Sequence, residues 1–281
     1  MKTFKYLNAS KCDICINWDF VTICQLHCFY CYSRKIKKNW NKIQSFKNIL
    51  KIIDSFKCNK TIEINVLGGE PTLHPKFVDV IDHLCDVPNI KIVNIFTNGL
   101  LKTKIKDLNT IKNNDKITVL YSYHPSEISP DDFINRIDLD NAFKQRIHLM
   151  FPAERYYSDV EKVYSTFKNI IPVVCHYVTI NDITRPISQN IPFYEDEFVY
   201  NNKHYTVSEI IQHKLNYFKG WICNKNTFDV DIFGNISNMC ENLNKNVFDD
   251  PYFFKKIKQT SYMCNRNVCS NACWLESNKW L

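Results

Sequence analysis

Three cysteines stand close together near the start of the chain, at Cys24, Cys28 and Cys31, with the spacing C-x3-C-x2-C. Thiolates at this spacing can bind three irons of a cubane cluster and leave the fourth iron without a protein ligand. An open metal position suits catalysis, because structural metal sites are normally closed by four protein ligands. The same spacing can also bind zinc, so the assignment depends on the rest of the chain.

A second motif, Leu67-Gly-Gly-Glu-Pro-Thr72, follows one predicted β/α unit later. Its two glycines allow the backbone to approach a ligand closely, and Glu70 places a carboxylate at the end of a predicted strand. With this motif, the cysteine triplet resembles that of the radical SAM superfamily. The resemblance implies a [4Fe–4S] cluster on the three cysteines, with S-adenosylmethionine (SAM) on the open iron. It also implies reductive cleavage of SAM to a 5′-deoxyadenosyl radical, which abstracts hydrogen from a substrate.

The resemblance assigns further residues to SAM. Gly68, Gly69 and Glu70 match the motif that holds the methionine ammonium group. Tyr30 stands where the family carries an aromatic residue that contacts adenine, and Asn98 belongs to a Thr-Asn-Gly ending that forms a wall of the SAM or substrate pocket. Period-two alternation places two more residues, Ser122 and His124, on one side of a predicted strand end. We expect Ser122 to contact the SAM ribose, and His124 is a weaker candidate for a role in the site.

The C-terminal region carries five more cysteines, Cys223, Cys240, Cys264, Cys269 and Cys273. An alternating stretch, Thr227–Ser237, with Gly-Asn at its turn predicts a hairpin that brings the first two close together. The arrangement resembles the SPASM and twitch domains of radical SAM enzymes, which hold auxiliary clusters. The resemblance implies one auxiliary [4Fe–4S] cluster, with a second left open. Its ligands are Cys223, Cys240 and Cys273, and the fourth is Cys269 ahead of Cys264. A zinc site is the alternative.

Other residues are weaker candidates. Cys12 and Cys15 form a C-x2-C pair with three open interpretations: part of a second auxiliary site with Cys264, a redox pair, or free thiols. Cys175 is a candidate hydrogen-atom donor, although a core position is the main expectation for it. Asp229 and Asp231, which stand beside the predicted cluster hairpin, are candidate bases that would remove a proton from the oxidised substrate.

The elements that must position these residues alternate between short β-branched runs and amphipathic stretches, which predicts a parallel sheet covered by helices. The predicted strands are Ile16–Thr22, Ile62–Leu67, Lys91–Thr97, Lys116–Ser122, Arg146–Phe151 and Pro172–Thr179. The predicted helices are Phe46–Phe56, Pro75–Leu84, Lys104–Lys112, Pro130–Ile137, Ser158–Phe167 and Val207–Lys219. A doubly wound sheet fits this pattern almost as well, and the resemblance favours a partial (β/α)6 TIM-type barrel. We predict a barrel domain at 1–219 and a small cysteine-rich domain at 220–281.

Composition narrows the class of protein. The chain of 281 residues has 45% hydrophobic residues, no apolar stretch long enough to span a membrane and no signal sequence, so we expect a cytoplasmic protein that needs no membrane. Its formal charge of +7 is spread along the chain, so nucleic acid is not an expected partner. The resemblance implies an external electron donor such as flavodoxin or ferredoxin.

The expected reaction is a net oxidation of a small metabolite such as a sugar or an aminocyclitol. A peptide is the alternative substrate. Only 23 residues precede Cys24, so we expect no fused leader-binding domain of the kind that peptide maturases carry, and a separate leader-binding protein stays open. A zinc-stabilised basic binding module is the alternative that is not an enzyme.

Overall fold

The structure, a computed structural model, describes residues 2–6, 10–31, 42–177, 197–215, 217–238, 241–257, 260–264 and 276–279. Its strands are β1 (Lys2–Tyr6), β2 (Ile14–Val21), β3 (Ile62–Gly68), β4 (Ile90–Thr97), β5 (Ile117–Tyr123), β6 (Lys144–Phe151), β7 (Val173–Tyr177), β8 (Glu197–Tyr200), β9 (Lys203–Thr206), β10 (Ile222–Lys225), β11 (Thr227–Val230), β12 (Asn235–Asn238), β13 (Glu241–Asn246), β14 (Thr260–Met263) and β15 (Glu276–Lys279). Its helices are α1 (Phe46–Ser55), α2 (Phe77–Asp86), α3 (Lys102–Lys106), α4 (Pro130–Ile134), α5 (Tyr157–Phe167), α6 (Val207–Gln212) and α7 (Phe253–Lys256).

The main sheet has nine strands in the order β13-β12-β11-β2-β3-β4-β5-β6-β7. From β11 to β7, each strand is parallel to the next one in this order, whereas β11 and β12 are antiparallel. From β2 to β7 the order in the sheet follows the order in the chain, without the reversal that marks a doubly wound sheet. The predicted fold class, a partial barrel of β/α units, is therefore confirmed.

The helices form where the sequence supplies both an apolar face and a cap. In α1 the buried residues Ile49, Ile52 and Ile53 recur at helical spacing, and the Ser45 hydroxyl accepts a hydrogen bond from the Asn48 amide at 3.3 Å. Three predicted helices are shorter than expected, and one of them, predicted at Val207–Lys219, ends at Gln212 as α6. The chain leaves α3 after Lys106 for a 3₁₀ turn, and α4 ends at Ile134.

Side chains of the main sheet divide between two faces. Trp18 of β2 packs edge-on against Phe56, just after α1, with the ring centroids 5.9 Å apart, so this face meets the helices. The alternate residues of β2 point to the opposite, concave face, as period two requires. The core between sheet and helices is dominated by fully buried Ile, Val and Phe side chains.

The predicted C-terminal hairpin forms from β11 and β12, with Asp229 opposite Ser237. Its loop differs in detail from the expectation. Asp231 and Asn235 flank three residues, and the last of these, Gly234, takes the left-handed conformation at φ +78°. A Cβ on Gly234 would also lie 2.6 Å from the Val247 side chain.

A second sheet has six strands in the order β14-β10-β15-β1-β8-β9. Both sheets take strands from each side of the predicted domain boundary near Gly220, and that boundary stays a prediction. In the described part of the chain, no helix is long and apolar enough to cross a membrane.

Candidate functional site

The cysteine triplet lies in the loop that follows β2, at the carboxyl end of the parallel strands, where this class of fold places its active sites. Hydrogen bonds from two backbone amides shape the loop. The Leu26 amide donates to the Cys24 sulfur at 3.4 Å, and the Cys31 amide donates to the Cys28 carbonyl at 3.1 Å. Cys28 is buried, and Cys24 and Cys31 are partly buried.

The thiols fit an iron–sulfur cluster. Burial raises the pKa of the Cys24 thiol to about 11 and that of Cys28 to about 12, and each thiol also interacts electrostatically with the other cysteines of the triplet. The free Cys24 and Cys28 thiols are therefore protonated at neutral pH, and binding of iron must release those protons. Among the described residues, no three His, Cys, Asp or Glu side chains converge on one metal ion. A cubane does not require such convergence, because each cysteine binds a different iron.

Neighbouring strand ends hold the cluster loop in place. The Glu127 carboxylate, which follows β5, accepts a hydrogen bond from the His27 amide at 3.0 Å. The guanidinium of Arg155, which follows β6, lies 5.6 Å from the centre of the Phe29 ring and 4.9 Å from that of Tyr156. The loop is thus attached to two strands on the far side of the barrel from β2.

The two glycines of the second motif touch the segment that leads into the cluster loop. A Cβ on Gly68 would lie 2.0 Å from the Val21 carbonyl oxygen, and a Cβ on Gly69 would lie 2.0 Å from that of Ile23. Gly68 also has φ +125°, a conformation that L side chains rarely adopt. We expected glycine here for close approach to a ligand. In the structure the close approach is between two backbone segments. It brings the end of β3 against Val21 and Ile23, just before Cys24.

Glu70 ties this segment to the end of β4. Its Oε1 accepts hydrogen bonds from the Thr72 hydroxyl and amide, at 2.6 and 3.1 Å, and from the Thr97 hydroxyl at 2.7 Å. Its Oε2 accepts one from the Asn98 amide at 2.7 Å. Burial raises the pKa of the carboxyl, and these hydrogen bonds oppose the rise. Four donors thus fix the carboxyl group rigidly beside the predicted SAM site.

Two side-chain amide atoms in this region are buried without a hydrogen-bond partner among the described residues, although the Asn98 amide oxygen accepts from the Leu100 amide at 3.1 Å. They are Nδ2 of Asn98, at the end of β4, and Oε1 of Gln25, in the cluster loop. Buried polar atoms are normally paired, so each of these groups points to a ligand. The role of Asn98 in the pocket wall stays a prediction. Gln25 was missed, and the only signal in the sequence was its place between the first two cysteines.

Tyr30 and His124 meet each other and a cysteine of the triplet. The Tyr30 hydroxyl oxygen lies 3.0 Å from Nδ1 of His124, and the Cys28 sulfur lies 3.5 Å from the same nitrogen. Burial lowers the pKa of His124 to about 4, so its ring is neutral at physiological pH. Ser122 is buried at the end of β5, in register with His148 of β6. Sequence reasoning missed His148, which period two along β6 could have revealed.

The concave face carries a row of asparagines that the sequence analysis also missed. Asn17, Asn65 and Asn94 lie in register on β2, β3 and β4, and Asp229 of β11 continues the row. Each asparagine donates its amide to the next residue, ending on the Asp229 carboxylate, at 2.8–2.9 Å. Asp229 therefore stands inside the barrel, where the C-terminal region joins it.

The other candidates lie elsewhere. The Asp231 carboxylate accepts hydrogen bonds from the Phe233 and Asn235 amides, both at 2.8 Å, and so stabilises the hairpin loop. Cys175 is buried in the core, in register with Leu149, on the face that meets the helices. Its position matches the core expectation, and the hydrogen-donor role stays a prediction.

The cysteines of the predicted auxiliary cluster are described only in part. Cys223 lies on β10, in register with Tyr262 of β14. Cys264 is buried just after β14, and its amide donates to the Trp221 carbonyl at 2.8 Å. Along the paired strands β10 and β14, Cys264 therefore lies two residues beyond Tyr262, the partner of Cys223. The remaining candidates, Cys240, Cys269 and Cys273, lie outside the described residues.

The C-x2-C pair upstream of β2 is described in full. Cys15 is buried and its sulfur accepts a hydrogen bond from Asn65 at 3.4 Å, whereas Cys12 is partly exposed. No disulfide joins them. Their three interpretations stay open.

Comparisons with known proteins agree with this geometry. The family model described as "Radical SAM superfamily" matches residues 18–180, more than half of the chain. A GTP 3′,8-cyclase of Vibrio parahaemolyticus is 31% identical over 106 residues, which is 37% of this chain and 29% of that protein. A mycofactocin maturase, MftC, of Mycobacterium tuberculosis is 31% identical over 70 residues, which is 25% of this chain and 18% of that protein. The chain therefore spans less than a third of the curated relatives it matches.

Two solved structures share the fold. Streptococcus suis SuiB bound to its precursor peptide SuiA has a TM-score of 0.56 and 15% identity, covering 86% of this chain and 64% of that one. The enzyme anSMEcpe with bound AdoMet has a TM-score of 0.51 and 16% identity, covering 79% of this chain and 70% of that one.

Proposed function

The chain belongs to the radical SAM superfamily, whose members use a [4Fe–4S] cluster and SAM, and from this premise we propose a hydrogen-abstracting enzyme that oxidises its substrate. Cys24, Cys28 and Cys31 hold the cluster. When bound and reduced, the cluster supplies the electron that cleaves SAM and yields the 5′-deoxyadenosyl radical. The observation that carries the proposal is the backbone contact between Gly69 and Ile23, which joins the two family motifs into one site.

The chain's own residues bind and orient SAM. Asn98 and Gln25 supply an unpartnered amide donor and an unpartnered amide acceptor, which suit the carboxylate and the ammonium of a bound amino acid. Glu70 fixes the strand end that carries Asn98 through the hydrogen bond to the Asn98 amide. Burial of Glu70, Asn98 and Ser122 also keeps water away from the position where the radical meets its substrate.

The net oxidation depends on the C-terminal cysteines. An auxiliary cluster on these cysteines would accept the one electron that a substrate gives up after loss of a hydrogen atom, and a base would accept the proton. Cys223, Cys240 and Cys273 are proposed ligands of that cluster. The backbone pairing of Cys264 beside the Cys223 strand supports Cys264 as the fourth ligand, and Cys269 is the competing choice. Asp229, inside the barrel, is the stronger of the two candidate bases.

The proposed substrate is a small polar metabolite such as a sugar or an aminocyclitol. The concave face supports this choice, because its row of Asn17, Asn65 and Asn94 makes that face polar rather than apolar. The similarity to a GTP cyclase, which acts on a small molecule by its name, points the same way. A peptide is the second candidate, and the similarity to the mycofactocin maturase favours it.

The proposed partner is an external one-electron donor such as flavodoxin or ferredoxin, because the cluster must be reduced before each cleavage. We place the enzyme in the cytoplasm, where thiolates stay reduced and such donors operate. The zinc-stabilised binding module has no support from the family to which the chain belongs.

Isotope transfer separates the two substrate classes. Cells of the source organism are grown in deuterated medium, and their metabolites and peptides are fractionated separately. Each fraction is then incubated with enzyme, unlabelled SAM and reductant, and deuterium in 5′-deoxyadenosine is measured. We expect deuterium transfer from the metabolite fraction. Transfer from the peptide fraction alone would contradict the small-metabolite proposal and establish the second candidate.

A further inference from the structure

We propose that His124 and the Tyr30 hydroxyl donate hydrogen bonds to the Cys28 thiolate and thereby raise the reduction potential of the cluster. The inference rests on the proposed function, since it assumes that Cys28 binds iron. It gives His124 a positioning and tuning role beside the cluster. From the sequence alone, His124 is only a weak candidate for a role in the site.

The geometry carries the inference. His124 follows directly after β5, and its Nδ1 faces two atoms at once, the Cys28 sulfur at 3.5 Å and the Tyr30 oxygen at 3.0 Å. The Tyr30 and His124 rings are nearly parallel, with an interplanar angle of 19° and centroids 6.1 Å apart. Tyr30 and Cys28 are both 7% exposed, so water does not compete for these contacts.

The proton positions follow from the chemistry of a ligating cysteine. A thiolate that binds iron has no proton to donate, so its contact with Nδ1 is attractive only when that nitrogen carries the proton. A neutral imidazole has one N–H, and the tautomer is set by its neighbours. With Nδ1 as donor, the Tyr30 oxygen accepts from the same N–H. The Tyr30 O–H is then left to donate to the Cys28 sulfur, with which Tyr30 makes a side-chain hydrogen bond.

Hydrogen bonds to cluster sulfurs favour the reduced state, because reduction adds negative charge that the donors stabilise. The donors are needed here because other features act in the opposite direction. Cys28 is buried, and the Glu127 carboxylate is held close to the loop through the His27 amide. Both burial and a nearby carboxylate disfavour a further negative charge.

The test measures the reduction potential of the cluster by potentiometric titration. The reduced cluster is followed by its EPR signal, and the signal that responds to SAM is the one titrated. His124→Phe keeps an aromatic ring beside Tyr30 and removes the donor, whereas His124→Asn keeps an amide donor near the position of Nδ1. The matched control is His83→Phe, an exposed histidine on α2 that is far from the cluster loop in sequence. Tyr30→Phe removes the second donor alone.

We expect His124→Phe to lower the ratio of reduced to oxidised cluster about tenfold at a fixed potential, which corresponds to about 59 mV. Tyr30→Phe shifts the ratio in the same direction, and His124→Asn and His83→Phe stay close to wild type. An unchanged potential in both His124→Phe and Tyr30→Phe, with full iron content, would overturn the inference alone. A wild-type protein that assembles no SAM-responsive cluster would overturn the proposed function with it.

Discussion

Replacement of Gly69 by alanine tests the contact that joins the two motifs. The added Cβ would lie 2.0 Å from the Ile23 carbonyl oxygen, whereas real contacts essentially never fall below 3.0 Å, so the backbones must separate by at least 1.0 Å (3.0 − 2.0). That separation disrupts two hydrogen bonds, from the Gly69 amide to the Val21 carbonyl at 2.8 Å and from the Glu70 amide to the Ile23 carbonyl at 2.7 Å. The loss of both costs about 1–3 kcal/mol of stability.

The effect on chemistry should exceed the effect on stability. Ile23 immediately precedes the first cluster cysteine, and a displacement of about 1 Å in reacting groups can cost about 100-fold in rate. The assay measures 5′-deoxyadenosine formed in a single turnover, the iron content and the thermal unfolding midpoint. Gly220→Ala is the control, because Gly220 has φ +80° and open space around its Cβ position, so it adds strain of about 1–2 kcal/mol without a clash.

We expect the two variants to lose similar stability, while only Gly69→Ala loses most of its SAM cleavage. A Gly69→Ala protein with wild-type rate and iron content would refute the reasoning, because the clash would then have been absorbed without moving the cluster loop.

Three further predictions concern single side chains. Glu70→Gln should destabilise the protein by about 1–3 kcal/mol in urea unfolding. A glutamine has only one acceptor oxygen, so its NH₂ group must face a donor, most simply the Asn98 amide. An unchanged unfolding midpoint would count against the described carboxyl environment. Asn98→Ala should weaken SAM binding about tenfold in equilibrium dialysis with iron content unaltered, and equal affinity would remove Asn98 from the SAM site. Cys264→Ser should lower the iron content from about eight to about four per chain while SAM cleavage persists; the same loss in Cys269→Ser alone would assign the ligand to Cys269 instead.

The sequence predicted the main sheet well because its strands are continuous β-branched runs. The strand predicted at Ile62–Leu67 is observed at Ile62–Gly68, and the strand predicted at Arg146–Phe151 is observed at Lys144–Phe151. The strand Lys2–Tyr6 was not predicted, and neither was Glu197–Tyr200. These two pair with each other across almost two hundred residues, so no local pattern specifies them.

The site was predictable in its motifs and less so in its contacts. The order of cysteines and glycines along the chain is enough to indicate a cluster and a close backbone approach. That the glycines approach Val21 and Ile23, and that His124 turns towards Cys28, depends on how distant strands meet at one edge of the sheet. Tertiary contacts of this kind leave no periodicity in the sequence.

The central claim is that Cys24, Cys28 and Cys31 hold a cluster that cleaves SAM. The most direct measurement is anaerobic incubation of the reconstituted protein with SAM and a chemical reductant, followed by quantification of 5′-deoxyadenosine and methionine. We predict equal amounts of the two products, dependent on the reductant and abolished in Cys28→Ala. A colourless protein with stoichiometric zinc and no 5′-deoxyadenosine would contradict the account.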